Sequence, residues 1–466
     1  MIRQNPKYFF VAILIFGMVE ATQAQMAGYP APRYPKIPNI TSVEQLMPYA
    51  RYIVSKPGDK TIVMRPGYSI QGGERVLIRV SDDNDPLVIE AFRRAFVEKD
   101  CTVDILILPT TDLAMGAPTD GANELKFSRW AGLDIDLAMS RVGSDISADT
   151  SIDAFIQSRK YDLVIGATTS VGDGKEYLAE RMRWFTREML ASPATTFPEE
   201  VVNLLDRKGW EIIRTAKSAR VTSPEGTDIS WTWWPGYWQV AEGTHPEIKM
   251  MGGGPRSGQS GYIYGPGRSE DPLIPGHLMG VAEGIVLPES DGEGVVAGTM
   301  NGSGPFKRME IHVKNHQVSE VKGDDEYATL FRRVMDRFKN IKYPLYPRQG
   351  YGFLVECAIG TNPKVSLPYN VMETIKMKPP FVSKFSPSAA KANLYTPGSW
   401  SEERRRTGVI HWGFGIISAE NEEWGLKNDA PVYHYHLHQW FATYEATMPD
   451  GSKKLVIDKG RLTALD

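Results

Sequence analysis

With two cysteines in 466 residues, the chain has no disulfide scaffold and no thiolate metal cage, since neither Cys101 nor Cys357 stands in a CxxC or comparable spacing. Cys101 opens an apparent strand and Cys357 lies in an apolar run, so both read as buried free thiols. Serine and cysteine hydrolase signals are missing: there is no Gly-x-Ser-x-Gly elbow, and Cys357 has no activating partner in sequence. The glycines from Gly252 onward lack the Gly-Lys-Ser/Thr ending of a phosphate loop. Charge of one sign is lacking as well. A formal net charge of -3 with no basic stripe argues against nucleic acid as a partner. Beyond the first two dozen residues, no segment is apolar enough to span a bilayer.

Those first residues have the order of a secretory signal. Arg3 and Lys7 precede the apolar run Tyr8 to Met18, and Thr22-Gln23-Ala24 offers cleavage after Ala24. The competing reading is an uncleaved anchor, for which the run falls short of the ~20 residues a span needs. A periplasmic or secreted protein without a stable membrane span is therefore expected.

A Pro-rich lead, Tyr29 to Pro38, begins an N-terminal arm assigned to residues 25–69. From Glu74 the pattern is regular. Glu74 to Val80 and Cys101 to Leu108 read as buried strands around the amphipathic helix Pro86 to Lys99, and Tyr161 to Gly166 reads as another strand. Lys175 to Leu190 and Glu199 to Thr215 have helical periodicity. This alternation predicts an α/β domain with a parallel sheet over 70–220. From about residue 221 to 466, short alternating runs punctuated by Gly and Pro predict a β-rich α+β domain, with a hairpin at Met309 to Val321 and one helix at Asp325 to Lys339.

The chemistry concentrates late in the chain. Pro431-Val432-Tyr433-His434-Tyr435-His436-Leu437-His438 packs three of the eight histidines into five residues. On a strand, alternate side chains share a face, so the three imidazoles would form one row, as a metal site requires. Glu356 lies within the apolar run Val355 to Ile359, where a carboxylate is costly unless paired or bound to a cation; a solvent-facing strand-edge glutamate is the alternative. His411, in Gly408 to Gly415, has little polar company. Alone it reads as a core histidine; beside Glu356 and the late row it becomes a candidate ligand. His277 follows Pro275-Gly276, whereas His245, His312 and His316 read as solvated surface histidines. Trp231, Trp233, Trp234 and Trp238 could line a pocket for a flat substrate or serve as a contact surface. Ser401 to Arg406 reads as a solvated helix turn.

At these residues the second half resembles the metallo-aminopeptidase family of the aminopeptidase T and S type, together with its relative 2,5-dihydroxypyridine 5,6-dioxygenase. The likeness rests on Pro275-Gly276-His277, the hairpin Met309 to Val321, Glu356 with Gly360-Thr361-Asn362-Pro363, His411 with its Gly-Phe-Gly tail, and the late His-x-His, all in the family's order. It implies an aminopeptidase T-like fold, a metal ion and a homodimer. In the peptidases it implies two metal ions held by glutamates, histidines, a tyrosine and an aspartate. Here His277 stands at the first glutamate position, and the late His-x-Asp reads His434-x-His436 or His436-x-His438. A site with fewer carboxylates and more imidazole suits one borderline metal. The candidate ligands are Glu356, His411, His434, His436 and His277, with His438 or His411 as the proton-transfer group. The expected reaction is Fe(II)-dependent cleavage of a hydroxylated aromatic or heteroaromatic ring, a small-molecule substrate. A zinc- or cobalt-dependent hydrolase and a non-catalytic metal-binding relative are the alternatives.

Overall fold

The computed structural model describes residues 39–57, 68–81, 85–108, 160–166, 178–179, 187–241, 244–246, 276–278, 286, 288–301, 304–324, 326–344, 346–365, 405–416, 434–463 and 466. The signal-like segment and the Pro-rich lead lie outside them. No helix among the described residues is long and apolar enough to cross a membrane.

Residues 40–54, within the segment assigned to the N-terminal arm, are packed. A 3-10 turn at Val43–Gln45 and helix α1, Met47–Ser55, bury Leu46, Ala50, Ile53 and Val54 in a first core. The Gln45 side chain accepts the backbone N–H groups of Thr41 and Ser42 at 2.8 and 3.1 Å, which fixes the entry to α1. This short polar turn signal interrupts an otherwise Pro-containing lead.

The first core also covers a parallel sheet. Its strands are β1 (Arg75–Ser81), β2 (Thr102–Leu108), β3 (Leu163–Gly166) and β4 (Leu178–Ala179), in the order β2-β1-β3-β4. Helix α2, Pro86–Val97, forms the crossover from β1 to β2, started by Asp85, whose carboxylate accepts the Leu87 N–H at 3.0 Å. Leu178 and Ala179, expected to be helical, pair with β3 as β4; pairing at a sheet edge overrides local periodicity there. Helix α3, Arg187–Leu190, and the long helix α4, Glu199–Thr215, follow.

The remaining described strands form one large antiparallel sheet. They are β5 (Ser218–Thr222), β6 (Asp228–Thr232), β7 (His277–Leu278), β8 (Glu293–Asn301), β9 (Gly304–Lys314), β10 (Gln317–Lys322), β11 (Phe353–Gly360), β12 (Ile410–Gly415), β13 (His434–Gln439), β14 (Thr443–Thr447), β15 (Lys453–Asp458) and β16 (Arg461–Leu462). Their order is β13-β12-β11-β10-β9-β8-β6-β5-β14-β15-β16, with β7 beside β11. Helices α5, Tyr237–Ala241, and α6, Glu326–Arg337, accompany the sheet. The sheet folds over on itself around a second core. Trp412 of β12 meets Trp231 of β6 edge-on at 6.3 Å, and Leu437 of β13 lies where a Cβ on Gly298 of β8 would stand, 2.9 Å away.

A buried polar clamp locks this fold. Gln439 accepts the Trp412 indole N–H at 2.8 Å and donates to the Ala297 carbonyl at 2.5 Å, to Ser223 Oγ at 3.2 Å and to Thr227 Oγ1. A second knot lies at Gly360-Thr361-Asn362-Pro363. Thr361 Oγ1 donates to Asp206 of α4 at 2.6 Å, Asn362 Nδ2 donates to the Ala194 carbonyl at 3.1 Å, and the Asn362 N–H donates to the Arg405 carbonyl at 2.9 Å. Arg405, expected in a solvated turn, is fully buried because this knot draws its backbone inward.

His316 is likewise buried rather than solvated. Asn315 and His316 take φ of 51° and 60°, the left-handed pair that a two-residue hairpin turn between β9 and β10 requires. The turn brings His316 Nδ1 within 2.6 Å of the Gly292 N–H, which it accepts, and burial pushes the imidazole pKa down to about 4. Both cysteines are buried and unbridged.

Glu225, beside the Gln439 clamp, is buried with its carboxylate bonded to Thr299 Oγ1 at 2.7 Å, and burial pushes its pKa up from 4.5 to about 7. Between these values the folded state binds more protons than the unfolded state, so stability falls as pH rises through that window. Glu225→Gln removes this dependence. Relative to the parent, its unfolding free energy is expected to rise by about 3 kcal/mol between pH 4.5 and pH 7.5, read from denaturant melts at each pH. An unchanged difference across that range would show that Glu225 is already ionised in the fold.

Candidate metal centre

Strands β11, β12 and β13 are buried on both faces, which is why they read as nearly unbroken apolar runs interrupted by a glutamate and histidines. Register sorts their side chains. Cys357, Trp412 and Leu437 stand in one row and face the second core. The neighbouring rows face the other way: Glu356, Gly413 and His436 in one, and Ala358, His411 and His438 in the next. Gly413 matters here. With no side chain on the central strand of the first row, Glu356 and His436 can lean toward each other across β12.

They converge with His411 on one point. Glu356 Oε2 lies 3.1 Å from His411 Nε2 and 3.1 Å from His436 Nε2, and the three ligand atoms fall within 4.8 Å of one another. The rings of His411 and His436 are 4.0 Å apart between centroids. Glu356 is 6% exposed, His436 2% and His411 not at all. Burial holds the His411 pKa well below its ordinary value, against the pull of the Glu356 charge. Neutral imidazole is the form in which a histidine serves as a cation's ligand.

Donor atoms about 2.1 Å from a common ion are roughly 3 Å apart when adjacent, and the two Glu356 contacts have that length. Two imidazole nitrogens and one carboxylate oxygen fit a borderline divalent metal and leave further coordination positions open. His438 stands beside this triad rather than within it: its ring centroid is 4.8 Å from that of His411, and it is fully buried.

His434 opens β13 opposite Gly415, in line with His436 and His438, and His277 sits opposite Gly360, four residues and roughly 13 Å along β11 from Glu356. The side chains of these two histidines lie outside the described residues. The tryptophans are packed mainly on one another and on other aromatic rings. Trp231 packs on Trp412 and on Tyr444 at 5.9 Å, behind the histidine face. Trp238 is surrounded by Trp210, Trp233 and Tyr237 at 5.2, 5.6 and 4.9 Å, with the Arg214 guanidinium over its ring, and Trp234 packs on Tyr237. Sequence reading also passed over Gly413, although the Gly-x-Gly of His411-Trp412-Gly413-Phe414-Gly415 signals an empty face at every second position.

Among solved structures, the chain is similar to 2,5-dihydroxypyridine dioxygenase from Pseudomonas putida KT2440, with 15% identity and a TM-score of 0.48 over 92% of this chain and 99% of that one. It is also similar to wild-type AmpT from Thermus thermophilus, with 12% identity and a TM-score of 0.43 over 90% and 99%. These correspond to the two enzyme types named from the sequence motifs. No family model and no curated protein matches the chain.

If Gly413 makes room for the converging donors, Gly413→Val fills the gap between Glu356 and His436. Metal affinity is expected to fall by about 10- to 100-fold, measured by titration with a divalent cation. Wild-type affinity in this variant would mean the donors reach each other by another route.

Proposed function

We propose that the protein is a metal-dependent enzyme that holds one ion with Glu356, His411 and His436, and that it is a mononuclear iron(II)-dependent ring-cleaving dioxygenase acting on a hydroxylated aromatic or heteroaromatic substrate. The observation that carries this reading is the convergence of two imidazoles and one carboxylate on a buried face, the ligand set of non-haem iron(II) oxygenases. The motif resemblance to the dihydroxypyridine dioxygenase supplies the substrate class. Bound iron(II) would relay electrons from the hydroxylated ring, which is the group oxidised, to dioxygen, both of whose atoms enter the ring-opened product.

The chain's own residues do the rest. Glu356 would offset one of a divalent ion's two charges, and a substrate hydroxyl bound as its monoanion would balance the other within a buried site. His438, whose ring centroid is 4.8 Å from that of His411 and which lies outside the ligand triad, is the base we assign to that hydroxyl proton. The buried strand face excludes bulk water. Export, expected from residues 1–24, and a homodimer belong to the same proposal; fractionation of the full chain and its solution mass test them.

Two histidines and one glutamate are also a catalytic zinc set, so metal-dependent peptide hydrolysis is the second reading. Elemental analysis of protein purified without added metal separates the two. About one iron per chain, with oxygen uptake on dihydroxylated aromatics, is expected; zinc with chelator-sensitive release of amino acids from peptides would replace the first reading by the second. Glu356→Ala and His436→Ala are expected to lose the metal, and full metal content in both would leave a non-catalytic relative with a different site. His438→Gln is expected to keep the metal and to lower turnover by about 10²- to 10⁴-fold. Unchanged turnover would remove His438 from the reaction.

A further inference from the structure

His436 occupies an exacting position. It is carried by β13, which is paired by β12 along one side and forms the end of the large sheet's strand order among the described residues. A strand at the end of a sheet is held by one ladder, and its alternate backbone groups turn away from that ladder. Its ligand atom must nevertheless stay 3.1 Å from Glu356 Oε2, on a strand two places away. Small rotations or slides of an end strand would spoil that distance first.

A hydrogen bond from outside the ladder meets the backbone at this residue. Tyr327, on α6, donates its hydroxyl to the His436 carbonyl at 2.7 Å, and the bond is buried. Its ring is fixed by Phe306 at 4.8 Å and by Tyr435 at 5.5 Å, and Phe331 of the same helix stacks on Tyr435 at 4.3 Å with the rings 11° apart. Helix α6 therefore grips the residue before His436 through stacked rings and His436 itself through the hydroxyl. Sequence patterning gives no hint of this link, because Tyr327 and His436 are 109 residues apart.

We infer that Tyr327 is a positioning residue for the metal centre: its hydroxyl, acting through the His436 carbonyl, sets where the His436 imidazole meets Glu356 and His411. The inference rests on the metal reading above. Residues outside the ligand sphere that orient a ligand commonly change metal affinity by 10- to 100-fold when removed. A bond to a ligand's backbone acts by the same logic, through the strand instead of the ring.

The test compares wild type, Tyr327→Phe and Phe306→Leu in titrations with cobalt(II), whose visible spectrum reports ligand geometry. Tyr327→Phe keeps the aromatic packing and removes the hydroxyl. It is expected to bind cobalt(II) about tenfold more weakly and with shifted absorption bands. Phe306→Leu loosens the same packing and keeps the hydroxyl; it is expected to lower the melting temperature while retaining wild-type affinity and spectrum. Wild-type affinity and bands in Tyr327→Phe would overturn the positioning role and leave the metal reading intact. A wild type that binds no cobalt(II) would overturn both.

Discussion

A carboxylate held away from water in the middle of a β-sheet is the constraint around which this structure is arranged. Glu356 can remain ionised there only if something of opposite charge, or a set of donors, compensates for lost hydration. Two imidazoles stand at hydrogen-bonding distance from one of its oxygens. An imidazole buried this deeply resists protonation, as the lowered pKa of His411 reflects, so proton-sharing alone is a poor solution. A divalent cation between the three groups would remove the conflict, since it would stabilise the carboxylate and use the imidazoles in their neutral form.

The three strands that present this group perform two tasks with alternate residues. One face supplies Cys357, Trp412 and Leu437 to the apolar core, and the other supplies the donors. Because the period is two, a slip of one residue in β13 would send His436 into the core and bring Leu437 to the donors. The Gln439 clamp penalises such a slip. It ties β13 to Trp412 on β12 and to the Ala297 carbonyl on β8, and any other register would strand a buried amide.

Much of this was legible in the sequence where a single residue type was out of place. A glutamate in an apolar run, a histidine among glycines and aromatics, and three alternating histidines are local anomalies, and register brings Glu356, His411 and His436 together. The parallel sheet was legible for a related reason, since β1 and β2 are short, mostly aliphatic runs separated by an amphipathic helix. What escaped depends on contacts between distant segments. The burial of His316 follows from a turn closing over Gly292, and that of Arg405 from the knot at Asn362. Helix α1 is short and marked by one glutamine turn. The tryptophans read equally well as a wall or as packing, because composition does not reveal which face of β12 they meet.

The pairing of β14 with β5 joins Thr443 to Thr222, roughly 220 residues apart in sequence. Contacts of such separation form late, because the loop they close costs entropy that nearer contacts must first offset. The donors rest on nearer contacts, since β11, β12 and β13 follow one another along the chain and pair in that order. Glu356, His411 and His436 therefore come together through the pairing of three neighbouring strands, and the centre is a product of the shorter loops of the sheet rather than of its longest one.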